Sequence, residues 1–324
     1  MTQHGHEALI FSFSISSLIN AIIALCGGLF ADVAGRKRML LISATSFTIG
    51  TALITAHLKL FIFFGAILIL VSPAIARGAY NSLLSESVPR NLRGRVFSTG
   101  SFISLIGTSL GSALFGFLME NIGLNPTLTT VAVLAATGAI LRLAIVETKG
   151  RIQYGVDISS SQILNVIREL FLSRELAPLT IMAIIMGFIG QLFHIFLPIY
   201  LSNVLKFDAE LVGIVFSFLT ISQAIGQPFS GFFIDKFGEV KALVLDVLVS
   251  ASSTSLFILS SIVVPTLSPT FLFLNTFFSA FTAIALFTYV ARITHESRRA
   301  TTYGFLTSMG SLSSLPAPIV GRIL

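Results

Sequence analysis

The sequence predicts an all-α polytopic membrane protein built from two similar halves, and three observations predict it. The first is composition: 54% of residues are hydrophobic and only 10% charged, with a mean hydropathy of +0.93. A soluble chain of this length would carry about 25% charged residues, so lipid has to be the solvent for the surplus apolar surface. The second is that the apolar residues form long continuous runs, as spanning helices require, and not the short alternating runs of barrel strands. The third is a motif that occurs twice. Gly28-Leu29-Phe30-Ala31-Asp32-Val33-Ala34-Gly35-Arg36-Lys37-Arg38 follows the first apolar run, and Gly231-Phe232-Phe233-Ile234-Asp235-Lys236-Phe237-Gly238-Glu239 follows a later one. Gly28 and Gly231, Asp32 and Asp235, and Gly35 and Gly238 are each 203 positions apart (231 − 28). The match extends upstream, pairing Glu7 with Glu210, Ser14 with Ser217 and Asn20 with Gln223. A membrane segment and the loop after it therefore exist in two copies, the mark of pseudo-twofold related halves.

Runs of roughly 17–25 apolar residues place spans near 8–30, 39–56, 60–85, 96–118, 127–146, 177–200, 209–231, 241–262, 268–291 and 302–321, about ten transmembrane helices. Residues 1–147 form the N-terminal bundle and 176–324 the C-terminal bundle, joined by a linker over 148–175. In that linker Ile163, Leu164, Ile167, Leu170 and Phe171 recur at helical spacing, with Ser161, Gln162, Asn165, Arg168 and Glu169 on the other face. This segment is either an amphipathic surface helix or a plain connector.

Net charge is +6, but the basic residues sit in short loops between apolar runs, which excludes nucleic acid as the partner they serve. With the first span running from outside to inside, fifteen cations fall on the cytoplasmic side: Arg36, Lys37, Arg38, Arg90, Arg93, Arg95, Lys149, Arg151, Arg168, Arg174, Lys236, Lys241, Arg292, Arg298 and Arg299. Only Lys59, Lys206 and Arg322 fall outside, and Arg77 and Arg142 lie near inner helix ends. That bias fixes the orientation, with both chain ends outside a plasma (cytoplasmic) membrane. One cysteine, Cys26, excludes an intramolecular disulfide. The first six residues lack the basic region of a cleavable signal. No phosphate-cradling loop points to ATP. His4, His6, His57, His194 and His295 show no metal-ligand spacing, so no metal and no cofactor is expected, a coupling proton or other ion aside.

The first motif copy closely resembles the signature between helices 2 and 3 of the major facilitator superfamily, and the second sits where that family repeats it, between helices 8 and 9. Glu86-Ser87-Val88-Pro89-Arg90-Asn91-Leu92-Arg93-Gly94-Arg95 resembles the family's loop between helices 4 and 5. Its partner runs from Glu296 through Arg298 to Gly304, with Glu86 and Glu296, and Gly94 and Gly304, 210 positions apart. The resemblance covers essentially the whole chain. It implies twelve helices, of which family helices 1 and 12 have no counterpart here, so the sequence reads as incomplete or as having a mis-called start, the alternative being a true ten-helix protein.

The resemblance also implies a conformational latch. Asp32, at a helix end, would face the positive N-terminus of family helix 11, starting near Thr301. Arg36, with Lys37 and Arg38 beside it, would pair with carboxylates to hold the loop. Asp235 would face the helix starting near Val96. The alternative for the three cations is an orientation signal alone. Gly35 and Gly238 suit tight turns with positive φ, and Gly28, Gly231, Gly107 and Gly111 suit close helix contact. Gly107-x-x-x-Gly111-Ser112-x-x-Phe115-Gly116 partly resembles the family's antiporter motif, with Ser112 and Phe115 in place of Pro and Gly.

Intramembrane polar groups are costly and mark candidate sites. Gln191 and His194, one turn apart, match a cavity-lining family helix, with Pro198 beyond them; His194 either titrates there or bridges helices. Asn20 and Gln223 face the cavity or bridge helices, and Asn275 and Thr282 lie on a Phe-rich helix that lines the cavity in the family. Asp246 is expected in a salt bridge near the cytoplasmic face. Thirty Phe and no Trp argue against a sugar site. Val146-Glu147-Thr148-Lys149-Gly150 is only a weak echo of a sugar-porter signature.

The expected function is secondary transport of a small solute by alternating access, foremost efflux of small amphipathic compounds, with no enzymatic step. The alternatives are a metabolite or sugar uptake permease, or a non-transporting receptor or partner protein of the same fold. The expected partners are the solute and the lipid bilayer.

Overall fold

The computed structural model describes residues 3–56, 58–148 and 168–317, and among them every regular element is a helix. In chain order these are α1 (Gln3–Ala34), α2 (Arg36–Thr55), α3 (Lys59–Glu86), α4 (Arg93–Ile122), α5 (Leu124–Leu141), α6 (Ala177–Asn203), α7 (Ala209–Phe237), α8 (Glu239–Val263), α9 (Ser268–Ile293) and α10 (Arg299–Ser313). Short 3-10 turns at Arg90–Leu92 and Glu296–Arg298 lead into α4 and α10. Among the described residues, nine helices are long and apolar enough to cross a membrane. The tenth, α10, has 15 described residues, and the far end of the span expected at 302–321 lies outside the described residues from 318 on.

The apolar residues do not all go inside. Leu110, Ile140 and Ile262 are 66%, 66% and 77% exposed on helix faces. In water such faces would aggregate; against acyl chains they cost nothing. Of the predicted amphipathic segment, residues 168–172 are helical, Leu170 is buried, and Phe171 meets Phe305 edge-on at 4.8 Å between ring centres. Residues 161–167, with Lys149 and Arg151, lie outside the described residues.

Contacts group the chain into two compact units that cut across the sequence halves 1–147 and 176–324. One holds residues up to Leu83, Leu114–Phe193 and Ile293 onward; the other holds Leu84–Ala113 and His194–Arg292. Each unit thus joins a motif-bearing helix of one sequence half to a helix start from the other. In the first unit α1 lies along α10, and Ala31, Met39, Leu40, Ala79 and Ala300 form a hydrophobic core flanked by Ile75, Leu83 and Ile145. A Cβ on Gly28 would stand 2.5 Å from the Ala300 carbonyl oxygen, and one on Gly78 2.7 Å from the same atom. In the second unit Gly94 and Gly231 do the same work, because a Cβ on Gly94 would stand 2.8 Å from the Gly231 oxygen. Phenylalanines from α7 and α9 fill the rest, with Phe233 and Phe281 at 5.6 Å and Phe278 and Phe281 at 5.2 Å. The expectation for Gly107 and Gly111 is not met among the described residues: no described atom lies within 4 Å of a Cβ built on either. They occupy a face of α4 that no described helix covers.

Single glycines with positive φ join three pairs of helices, Gly123 (φ 82°) linking α4 to α5. Gly35 (φ 104°) separates α1 from α2, and Gly238 (φ 89°) separates α7 from α8. Reversing chain direction within one residue needs a left-handed backbone, which only glycine adopts without strain.

Candidate functional site

The two motif copies build two carboxylate-capped helix starts. The first N–H groups of a helix have no partner inside it and carry partial positive charge. At α10, Asp32 accepts from the backbone N–H of Ala300 (3.2 Å) and Thr301 (2.7 Å) and from the Thr301 hydroxyl (2.7 Å). At α4, Asp235 accepts from the N–H of Gly94 (2.8 Å) and Arg95 (3.1 Å). Both carboxylates are buried, at 6% side-chain exposure each.

The cations differ between the copies. Arg36, one turn after Asp32, is 2% exposed. Its guanidinium lies 3.5 Å from the Asp32 carboxylate and donates to the Ser82 hydroxyl (3.2 Å) and the Glu296 carbonyl (2.6 Å). In the second unit the nearest cation to Asp235 is Arg95, 3.6 Å away and half in solvent. The position 203 residues beyond Arg36 is Glu239, which binds Arg292 at 2.9 Å.

The structure corrects the register of the second motif pair. Asp32 caps positions 300–301 and Asp235 caps 94–95, so equivalent positions are 206 apart, not 210. The 3-10 turns at 90–92 and 296–298 obey the same spacing. Gly94 therefore corresponds to Ala300, and Gly304 to Ser98. Glu86 ends α3 while Glu296 opens a 3-10 turn, so those two are not counterparts. The glycine alignment misled because glycine serves close approach at different steps of the two helices: a Cβ on Gly304 would strike the Ala24 carbonyl.

The remaining loop residues divide by burial. Arg93 is 7% exposed and donates to the carbonyls of Ser85 (3.0 Å) and Ala291 (2.8 Å), covering the C-terminal ends of α3 and α9. Its structural counterpart Arg299 is 3% exposed and donates to the Thr294 carbonyl. Arg298, by contrast, is exposed and pairs with exposed Glu169. Lys37 donates through Nζ to the Leu143 carbonyl (2.7 Å). Sequence reasoning missed Glu147, whose carboxylate accepts from the N–H of Arg36 (3.2 Å) and Lys37 (3.0 Å) and so caps α2. Nothing in local spacing signals a cap supplied from 110 residues away.

The candidate cavity residues separate as well. Asn20 donates to the Ser16 carbonyl of its own helix (2.9 Å). Gln191, His194 and Gln223 have no hydrogen-bond partner among the described residues; His194 is exposed, the two glutamines half-buried. Asn275 reaches the Thr254 hydroxyl (3.2 Å), the Ser253 hydroxyl (3.4 Å) and the Ser250 carbonyl (3.4 Å), and Thr282 donates to Asp246. Both stitch α9 to α8. Asp246 is corrected: it forms no ion pair among the described residues and accepts from Thr282 and from Ser250 (2.7 Å). Glu239, nearer the helix start, takes Arg292 instead. A further buried residue is Gln227, 3% exposed, whose Oε1 has no partner among the described residues. Among those residues no group of three or more His, Cys, Asp or Glu could hold a metal ion.

The sequence and the fold have parallels in known proteins. The chain is 36% identical over 137 residues to "Multidrug resistance protein MdtG" of Dickeya zeae, covering 40% of this chain and 33% of that one. It is 28% identical over 261 residues to the protein of the same name from Klebsiella pneumoniae, covering 76% and 61%. The chain thus spans from a third to about three-fifths of these curated relatives. Its fold matches the crystal structure of the human organic anion transporter MFSD10 (TETRAN) with a TM-score of 0.79 at 18% identity, covering 95% of this chain and 76% of that one. The sequence profile described as "Major Facilitator Superfamily" fits residues 2–318, and with a motif repeated at matching helix ends the chain belongs to that superfamily.

Proposed function

We propose that the protein containing this chain is a secondary transporter that expels small amphipathic solutes by alternating access. The single observation that carries the reading is the double cap: Asp32 on the start of α10 and Asp235 on the start of α4. Each ties a motif-bearing helix to a helix start from the other sequence half, at the ends where the cations cluster. Charge bias makes that side cytoplasmic. Opening a path to the cytoplasm then means withdrawing both carboxylates from their N–H donors, so the caps act as latches on an outward-open state. The name of the curated relatives supports efflux as the direction and drug-like compounds as the solutes. The chemistry is binding and conformational exchange without a covalent step.

The test is flux. The full chain in proteoliposomes is loaded with a lipophilic cationic dye, ethidium, and its movement is followed under an imposed ion gradient. Gradient-dependent movement that falls in Asp32→Asn, with insertion unchanged, is the expected result. Equal dye movement in protein-containing and empty liposomes would sink the reading.

A further inference from the structure

Among the described residues, one buried acidic side chain belongs to neither latch and meets neither a cation nor a helix start. Asp246 stands on α8 seven residues past Glu239, about 10 Å along the helix axis. It is 5% exposed and lies inside a helix apolar enough to span the membrane. Its carboxylate meets two hydroxyls, Ser250 on its own helix (2.7 Å) and Thr282 on α9, itself 1% exposed.

We infer that Asp246 is a proton-binding site buried between α8 and α9. An ionised carboxylate at this depth would be a charge in a low-dielectric medium with no opposite charge beside it. Two neutral hydroxyls orient the group but do not neutralise it. Taking up a proton removes the charge and keeps both contacts, because a carboxylic acid donates through one oxygen and accepts through the other, and each hydroxyl can do either. A metal cation fits less well, because hard cations gather about six oxygens, and the oxygens in direct contact here are one carboxylate and two hydroxyls. The polar seam continues along the same interface, where Asn275 bridges the Ser250 carbonyl and the Ser253 and Thr254 hydroxyls. These groups give the proton a hydrogen-bonded surround in an otherwise apolar contact.

The charged and titratable groups of the neighbouring helices do not settle the carboxylate's charge. On α8, Glu239 is bound to Arg292 of α9, about ten residues past Thr282, and Lys241 is exposed. On α7, Asp235 is engaged at the start of α4 and Lys236 is exposed beside the Phe232 and Phe237 rings. On α6, which meets α8 through Tyr200 and Phe257, His194 is exposed. None of them touches Asp246. The inference concerns proton binding alone and stands whether or not the protein moves a solute.

Infrared difference spectroscopy of the full chain in lipid nanodiscs, titrated from about pH 4 to about pH 10, tests it. The expected result is a protonated-acid C=O band that converts to carboxylate bands within that range, a component missing from Asp246→Asn. That variant keeps an oxygen acceptor for one hydroxyl and presents an N–H donor to the other, which a hydroxyl can accept. Thr282→Val, which removes one hydroxyl from the carboxyl, is expected to move the midpoint of the conversion. Two outcomes overturn the inference: a component assigned to Asp246 that stays carboxylate at every pH, or one that stays acid at every pH. Should Asp246→Asn not fold, an unmoved midpoint in Thr282→Val overturns it equally.

Discussion

Asp32 on α1 receives both the backbone N–H and the hydroxyl of Thr301, each at 2.7 Å, across 269 positions of chain. One carboxylate thereby satisfies the start of a helix from the other sequence half. Asp235 repeats the arrangement at Gly94 and Arg95.

The two latches are not equal in strength, because their cations differ in exposure. Arg36 is 3% exposed at its side chain and Arg95 56%. Asp32→Asn strands a buried guanidinium and is expected to cost about 3 kcal/mol. Asp235→Asn leaves a cation that water already solvates, and is expected to cost about 1 kcal/mol. Thermal unfolding of both variants in the same detergent checks the order, and equal losses would contradict it.

Helix contacts predict opposite fates for glycines that look alike in sequence. Gly28→Ala forces a methyl against the Ala300 carbonyl and is expected to destabilise by about 1–3 kcal/mol. Gly107→Ala and Gly111→Ala meet no described atom within 4 Å and are expected to be neutral or to stabilise their helix by up to about 1 kcal/mol. Melting temperatures of the three variants decide the matter.

The one-residue joints carry their own cost. Gly35→Ala and Gly238→Ala place a Cβ on backbones at φ 104° and 89°, a strain of about 1–3 kcal/mol each. The effect at Gly238 is backbone strain, since no described atom lies within 4 Å of its Cβ. At φ 89° and ψ 161° Gly238 lies in a region essentially reserved for glycine, so thermal unfolding of Gly238→Ala checks the cost, and an unchanged melting temperature would contradict it.

Arg36 bonds three groups in different directions, Asp32, Ser82 and the Glu296 carbonyl. A lysine has a point charge in place of the planar fork. Arg36→Lys is therefore expected to keep membrane insertion and lose about 2 kcal/mol of stability. Recovery of the full wild-type melting temperature by lysine would show that charge alone suffices there.

The Glu239–Arg292 pair is weaker, since Arg292 is 49% exposed and its guanidinium also lies 4.6 Å from the Tyr289 ring. A double-mutant cycle with Glu239→Gln and Arg292→Gln is expected to give a coupling of about 0.5 kcal/mol that falls as salt is added. A coupling several times larger would place the pair in a drier setting than its exposure indicates.

The sequence by itself determined that the chain spans a membrane as helices, where most of those helices run, and that a motif recurs at a 203-residue offset. Those properties follow from composition, run length and identity at fixed spacing, which a linear string carries in full. It also marked Gly35 and Gly238 as turn residues, because glycine adopts positive φ without strain. What only the tertiary structure decided are relations between distant positions. The Glu147 cap on α2 and the 206-residue register of the capped helix starts depend on which atoms meet, and local spacing does not encode that. The same holds for Asn275, Thr282 and Asp246, which read as cavity or surface groups in sequence and fold into one seam between α8 and α9. A polar residue in a membrane helix must satisfy its hydrogen bonds inside the protein, but the helix face that supplies the partner is set by packing.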